Sequence, residues 1–161
     1  MILSKEIAHK KLRRMAMEVA ERNHDELALV LIGIKENGIV IAEIMATILK
    51  DIFPGKIEIL WLSMDKKNPG EIVLSKTIDF NGANILLIDD VANSGRTMFY
   101  AMQPLLMHHP KQVQTLALLE RTHKLFPIEV NYVGHSVSTA RDEMIVVKVN
   151  GGEVESAYFK V

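Results

Sequence analysis

The stretch ANILLIDDVANSGRTMFYAM, residues Ala83–Met102, decides how this chain is read. Four large aliphatics, Ile85 to Ile88, run straight into Asp89 and Asp90. A short continuous apolar run of this kind is the pattern of a strand buried on both faces, as in a parallel sheet covered by helices. In open α/β sheets ligands bind beyond the carboxyl ends of the strands, where loops lead into helix N-termini. Asp89 and Asp90 are expected at such an end. Two carboxylates side by side there repel unless ribose hydroxyls or a divalent cation divide the charge. The following residues, Ser94, Gly95, Arg96 and Thr97, bring backbone N–H groups, two hydroxyls and a guanidinium to a helix start, a phosphate cradle without a Walker lysine. Sugar-binding carboxylates beside a phosphate cradle point to a phosphorylated sugar.

Outward from that stretch, helical and strand patterns alternate. Ile7, Leu12, Met15, Ala16 and Val19 recur at helical spacing after Ser4, a good N-cap residue, which predicts a helix over 5–23. ALVLIGI, Ala28–Ile34, reads as a buried strand, IVIAEIMATILKDI over 39–52 as a helix stopped by Pro54 and Gly55, and KIEILWLS, Lys56–Ser63, as a second strand. The polar MDKKNPGE over 64–71 reads as a loop. After ANILLID, 83–89, come a helix over 95–108 and a strand over 112–120. Strand alternating with helix predicts an α/β fold: a twisted, mainly parallel sheet with flanking helices. The last 30 residues, with NYVGHSVS and MIVVKVN, predict short extended pieces forming a small C-terminal hood. No linker or composition break divides residues 1–161, so one domain is expected.

Composition narrows the classes of function. With 19 basic and 20 acidic residues the net charge is −1, so the chain as a whole lacks the electrostatic signature of a nucleic-acid binder. The local exception is Lys5, Lys10, Lys11, Arg13 and Arg14 against Glu6. Zero cysteines exclude disulfides, thiolate nucleophiles and cysteine-held metals. No apolar run reaches membrane-spanning length and the start lacks a signal-peptide pattern, so a cytoplasmic protein without a membrane partner is expected. His108 and His109 are adjacent and point in different directions, which makes a poor metal site. Met15, Met17, Met45, Met98, Met102 and Met107 are expected in the core, and Trp61 in packing near the base of the polar loop.

ILLIDDVANSGRT, 85–97, resembles the 5-phosphoribosyl-1-diphosphate (PRPP) binding motif of type I phosphoribosyltransferases. The segments 2–23, 29–42 and 116–149 are similar to the uracil phosphoribosyltransferases that double as pyrimidine-operon attenuators, so the resemblance covers nearly the whole chain. It implies the type I phosphoribosyltransferase fold, and it implies roles. Asp89 and Asp90 would be the catalytic pair, binding the ribose 2- and 3-hydroxyls and meeting Mg²⁺ mainly through PRPP. Asn93, Ser94, Gly95, Arg96 and Thr97 would hold the 5-phosphate. Lys35, Glu36, Asn37 and Gly38 would form the pyrophosphate loop, with the glycine letting backbone amides approach the diphosphate. Residues 63–71 would be the flap, and His135, in a segment assigned to the hood, would meet the base. From the residues themselves, Glu120 and Arg121 end a strand facing the same edge as the aspartates, where they either meet diphosphate or base or form a surface ion pair. The reaction implied is uracil plus PRPP giving UMP and pyrophosphate, by a homodimer or higher homo-oligomer. Oxocarbenium character at the anomeric carbon needs no side-chain nucleophile, only a held leaving group, excluded water and an aligned base nitrogen.

The chain departs from the resemblance at three places. Asn93 stands where purine-using members carry a carboxylate base, and an amide cannot take a proton at neutral pH. Asn37 stands where the uracil-type members carry Arg, and the flap is short, with Asp65, Lys66 and Lys67 and no Arg. Two alternatives follow. One is a nucleotide-sensing, RNA-binding regulator of pyrimidine genes, using the basic start with Arg121, His123, Lys124 and Arg141. The other is a PRPP-binding domain with little catalysis.

Overall fold

Ser4 opens the first helix as the sequence predicts, its side chain accepting a hydrogen bond from the Ile7 N–H at 3.3 Å. The computed structural model describes every residue except Lys66, Pro69 and Arg141. Those parts of the flap and of the basic set lie outside the described residues. The elements in chain order are β1 (Leu3–Ser4), α1 (Lys5–Arg22), β2 (Ala28–Ile34), α2 (Asn37–Ile52), β3 (Lys56–Ser63), β4 (Val73–Leu74), β5 (Asn84–Ala92), α3 (Arg96–Ala101), α4 (Gln103–Leu106), β6 (Gln112–Arg121), β7 (Tyr132–Val137), β8 (Met144–Asn150) and β9 (Glu153–Lys160).

Among the described residues the strands form two sheets. The larger runs β4-β3-β2-β5-β6-β7, parallel throughout except for β4, which turns back antiparallel on β3. The smaller, the hood, is antiparallel in the order β1-β9-β8. β5 is central because it is apolar on both faces. Leu86 and Ile88 join the cluster with Leu12, Met15, Ile41 and Met45 from α1 and α2, while Ile85 and Leu87 join Met98, Ala101 and Leu105 from α3 and α4.

Several boundaries differ from the sequence reading. α2 starts at Asn37, two residues early, and β5 continues through both aspartates to Ala92. The helix expected over 95–108 is two short ones with Met102 between them, because Pro104 lacks an N–H and crowds the preceding turn. NYVGHSVS does not belong to the hood. β7 pairs with β6 at the edge of the large sheet, and the hood is instead completed by β1 from the other end of the chain. Met15, Met45 and Met98 are buried, whereas Met17 and Met107 are at the surface, at 50% and 84% exposure. Trp61 is half-buried.

At the end of the sheet away from the aspartates, buried Asn23, Asn84 and Tyr132 and half-buried Gln112 and Gln114 form one polar cluster. The Asn23 amide donates to Val19 O (2.8 Å), Gln114 Oε1 (3.1 Å) and the Tyr132 hydroxyl (3.3 Å), and its oxygen accepts from Asn84 (2.7 Å) and Gln112 (3.0 Å). Burial pushes the Tyr132 phenol above its usual 10.0, outweighing the hydrogen bond from Asn23 and the nearby Arg22 charge. A folded-state value above the unfolded one gives stability that is complete below pH 10 and is lost as pH rises through the raised value. Phenolate absorbance of the folded protein is therefore expected to include a late step above pH 10 that Tyr132→Phe removes. A curve that Tyr132→Phe leaves unchanged in that range contradicts this.

Candidate active site

Neighbouring parallel strands bring the sequence's separate motifs to one edge. β2 pairs with β5 with Gly33 opposite Ile88, and with β3 with Gly33 opposite Trp61. The residues after β2, the two aspartates and the end of β3 therefore emerge side by side. Gly38 lies in the first turn of α2 directly against β5. A Cβ there would stand 2.7 Å from the Ile88 carbonyl oxygen and 3.2 Å from Asp89 Cα. Glycine at 38 thus permits close helix-to-strand packing.

That packing sets Asn37 over Asp90. The Asn37 Nδ2 donates to Asp90 Oδ2 at 3.0 Å and to the Val147 carbonyl of β8 at 2.9 Å. Asp90 Oδ1 accepts from the Val91 N–H, and Asp89 Oδ1 from the Asp90 N–H, both at 2.8 Å. Asp89 is buried, at 1% exposure, and Asp90 half-buried. Lys35 lays its ammonium 4.5 Å from the centre of the Trp61 ring, a cation–π contact that Trp61's register position makes available. Lys35, Glu36, Asn37, Ser63, Met64 and Asp90 line a cleft of about 420 Å³.

Residues 89–98 and Ile145 of the hood line a second, smaller cleft. Here Gly95 takes φ +83°, which L side chains rarely adopt, and this turns the chain into α3. The Arg96 N–H donates to Ser94 Oγ at 3.3 Å. Ser94's carbonyl accepts from the N–H groups of Leu125 and Phe126 at 2.9 and 3.1 Å, so the loop after β6 clasps this turn. Phe126 packs against Phe99 and Tyr100 behind it. The Arg96 guanidinium lies 5.7 Å from the Tyr100 ring, and its Nε is buried without a hydrogen-bond partner among the described residues.

A third cleft adjoins the second through Asn93 and Ser94 and is walled by Arg121, Thr122, His123, Thr139, Glu143 and Met144. Arg121 Nε is likewise buried and unpartnered among the described residues. Glu120 does not pair with Arg121. Lys124 Nζ stands 2.6 Å from its Oε2 and the Ser136 hydroxyl donates to its Oε1 at 3.0 Å.

The structure thus brings Lys35, Glu36, Asn37, Asp89, Asp90, Asn93, Ser94, Gly95, Arg96, Thr97 and Arg121 around three contiguous clefts. Gly38 supports them from beneath. His135 stands apart: it is exposed on β7 and lines none of the three. The sequence reading missed the hood wall, Met144, Ile145 and Val147. Their alternation in MIVVKVN was visible, but which strand of a two-sheet fold overhangs the site is a tertiary fact. The basic start is largely self-neutralised. Lys5 pairs with Glu153 (2.7 Å), Lys10 with Glu6 (3.3 Å) and Arg14 with Glu18 (2.7 Å), and Arg14 also donates to the Val133 and Gly134 carbonyls of β7. Arg141 of that set lies outside the described residues.

A bifunctional protein PyrR of Clostridium acetobutylicum is 33% identical, covering 97% of this chain and 93% of that protein. A pyrimidine operon regulatory protein of Lactococcus lactis is 34% identical, covering 85% and 82%. Among solved structures, a hypoxanthine-guanine phosphoribosyltransferase of Bacillus anthracis superposes with a TM-score of 0.71 at 24% identity, covering 90% and 84% of the two chains. A hypoxanthine phosphoribosyltransferase of Trypanosoma cruzi gives 0.78 at 14% identity, covering 90% and 83%. These two share the fold, a mainly parallel sheet with flanking helices. The phosphoribosyl transferase domain model matches residues 1–149, and the chain belongs to that family.

Proposed function

We propose that this chain transfers the 5-phosphoribosyl group of PRPP to uracil, releasing pyrophosphate. One observation carries the reading: Asp89 and Asp90 share a cleft with the glycine-turned segment 93–97, so carboxylates for a sugar diol and amides for a phosphate face the same space. In this reading the aspartates accept hydrogen bonds from the ribose hydroxyls, and segment 93–97 holds the 5-phosphate. Lys35 faces the diphosphate from the first cleft, and the base lies in the third cleft near Arg121 and Met144. The hood and the loop after β6 keep water from the anomeric carbon, where positive charge develops as pyrophosphate leaves.

Magnesium fits this donor set as an ion held mainly by the substrate. Carboxylate oxygens are the hard donors it prefers, and Asp89 and Asp90 supply them as a pair. When bound, it neutralises charge on the departing diphosphate. Uracil is preferred over a purine because Asn93 offers an amide where a base would be needed, and because the relatives include a pyrimidine operon regulatory protein. A mass-spectrometric assay with PRPP, Mg²⁺ and each of uracil, orotate, hypoxanthine, guanine, xanthine and adenine tests the proposal. UMP from uracil alone is the expected product. A purine nucleotide overturns the base assignment.

A second reading is a PRPP- or nucleotide-binding regulator with little turnover. It is favoured by Asn37, whose amide is engaged with Asp90 and Val147, leaving Lys35 as the cation lining the first cleft among the described residues. Calorimetric PRPP binding with no nucleotide from any base is its signature, and turnover of even one base eliminates it.

A further inference from the structure

Beside the apolar packing of Ile145 and Val147 against the core, one side chain that belongs to neither the hood nor β5 hydrogen-bonds to both. Asn37, the first residue of α2, has two amide protons, and both are used: one on Asp90 Oδ2 (3.0 Å), one on the Val147 carbonyl (2.9 Å). The opposite amide orientation would turn an oxygen toward a carboxylate and a carbonyl, so the chemistry of the two acceptors fixes the nitrogen inward. Val147 lies two residues from Ile145 on β8, and both are buried, so they share the inward face of that strand. Ile145 is the hood residue that lines the cleft of Asp89, Asp90 and segment 93–97, and Met144 beside it lines the third cleft. An ion pair also ties α1 to the hood, Lys5 with Glu153, but it lies on the outer surface with both side chains about half exposed, and surface pairs of this kind hold little. The Asn37 amide is half-buried, with a charge-assisted bond to Asp90 at one end and a bond to the Val147 carbonyl of the hood at the other.

We propose that Asn37 is a positioning residue that latches the hood to Asp90. Its amide sets the height of Ile145 and Met144 above the clefts, and it makes the mobility of β8 depend on what Asp90 binds. The latch itself needs only the geometry; the dependence on ligand rests on the proposed PRPP site. Coupling of this kind is reciprocal, so a ligand that orders Asp90 also orders β8, and loosening β8 weakens that ligand.

Amide hydrogen exchange of β8 by NMR, with PRPP calorimetry in the presence of Mg²⁺, tests this in the wild type, Asn37→Ala and Asn37→Asp. In the wild type the Asn37 side-chain amide protons are expected to be protected from exchange; rapid exchange there overturns the latch without any variant. Asn37→Ala is expected to speed exchange of the Ile145 and Val147 amides about tenfold and to weaken PRPP about tenfold, the loss of one charge-assisted bond. Asn37→Asp keeps the shape but removes both donors and sets a carboxylate against Asp90 and a carbonyl, so its effect on β8 is expected to exceed that of alanine. A merely space-filling Asn37 predicts the reverse order, and that order overturns the proposal. PRPP is expected to slow β8 exchange in the wild type and to do so less in Asn37→Ala. Should the wild type bind no PRPP, the proposed function falls, while the exchange rates of the two variants still decide the latch.

Discussion

Replacing Asp89 with asparagine is expected to weaken PRPP binding about a hundredfold and to leave the fold in place. Asp89 is 1% exposed in the middle of the sheet's central strand, and its Oδ1 accepts the Asp90 N–H at 2.8 Å. Asparagine has the same size and keeps a carbonyl oxygen for that backbone bond. What it lacks is the negative charge that strengthens hydrogen bonds from a sugar diol. Such charge-assisted bonds are worth about 1.5–3 kcal/mol each, and about 2.7 kcal/mol corresponds to the expected hundredfold. Calorimetry with Mg²⁺ present reads the affinity, and a thermal melt reads the fold. Unchanged affinity in a protein that melts normally sinks the ribose assignment of Asp89 and, with it, the proposed orientation of PRPP.

Gly38→Ala is expected to damage stability and binding together. Its methyl group would stand 2.7 Å from the Ile88 carbonyl oxygen, a backbone atom in the central strand that has no room to move. α2 must shift away from β5, and overpacking of this kind costs about 1–3 kcal/mol. For a chain of this size that lowers the melting temperature by roughly 3–10 °C. The same shift carries Asn37 off Asp90, so PRPP affinity should fall with the melting temperature. Gly70→Ala is the matched control, since among the described residues its Cβ would meet nothing closer than the Asn68 carbonyl oxygen at 4.0 Å. A Gly38→Ala protein that melts like the wild type and like Gly70→Ala refutes the packing account.

Much of the fold was legible because β5 and its neighbours are buried on both sides. The strands Ala28–Ile34 and Lys56–Ser63 have the bounds the apolar runs predict, since burial dictates where a run begins and ends. The loop-to-helix transitions were less legible. α2 gains two residues because Gly38 docks on Ile88, a contact distant in sequence, and β5 runs past the aspartates because its register with β6 extends to Ala92 opposite Glu120. β7 was misplaced for a plain reason. YVGHSV is short and partly polar, and a polar edge strand reads like a hood strand until its partner is known. The same applies to the site. Asp89, Asp90 and segment 93–97 are contiguous in sequence and could be read together, whereas the overhanging Ile145 and Met144 and the cation–π partner of Lys35 depend on strand order. Asn37 was noted as a departure, but only the distances show where its amide is used.

The hood sheet has a consequence for how the molecule is made. Its middle strand, β9, is among the last residues of the chain, yet it pairs with Leu3 and Ser4, among the first: Leu3 lies opposite Ala157 and Ser4 opposite Ser156. During synthesis the large sheet's strands, from Ala28 to Val137, all emerge before β9 exists. Leu3 and Ser4 must therefore wait, without their sheet partner, until Glu153–Lys160 has been made. The roof over the site closes only after the strands of the large sheet exist, so a slow or failed pairing of β9 leaves a formed sheet with an open site.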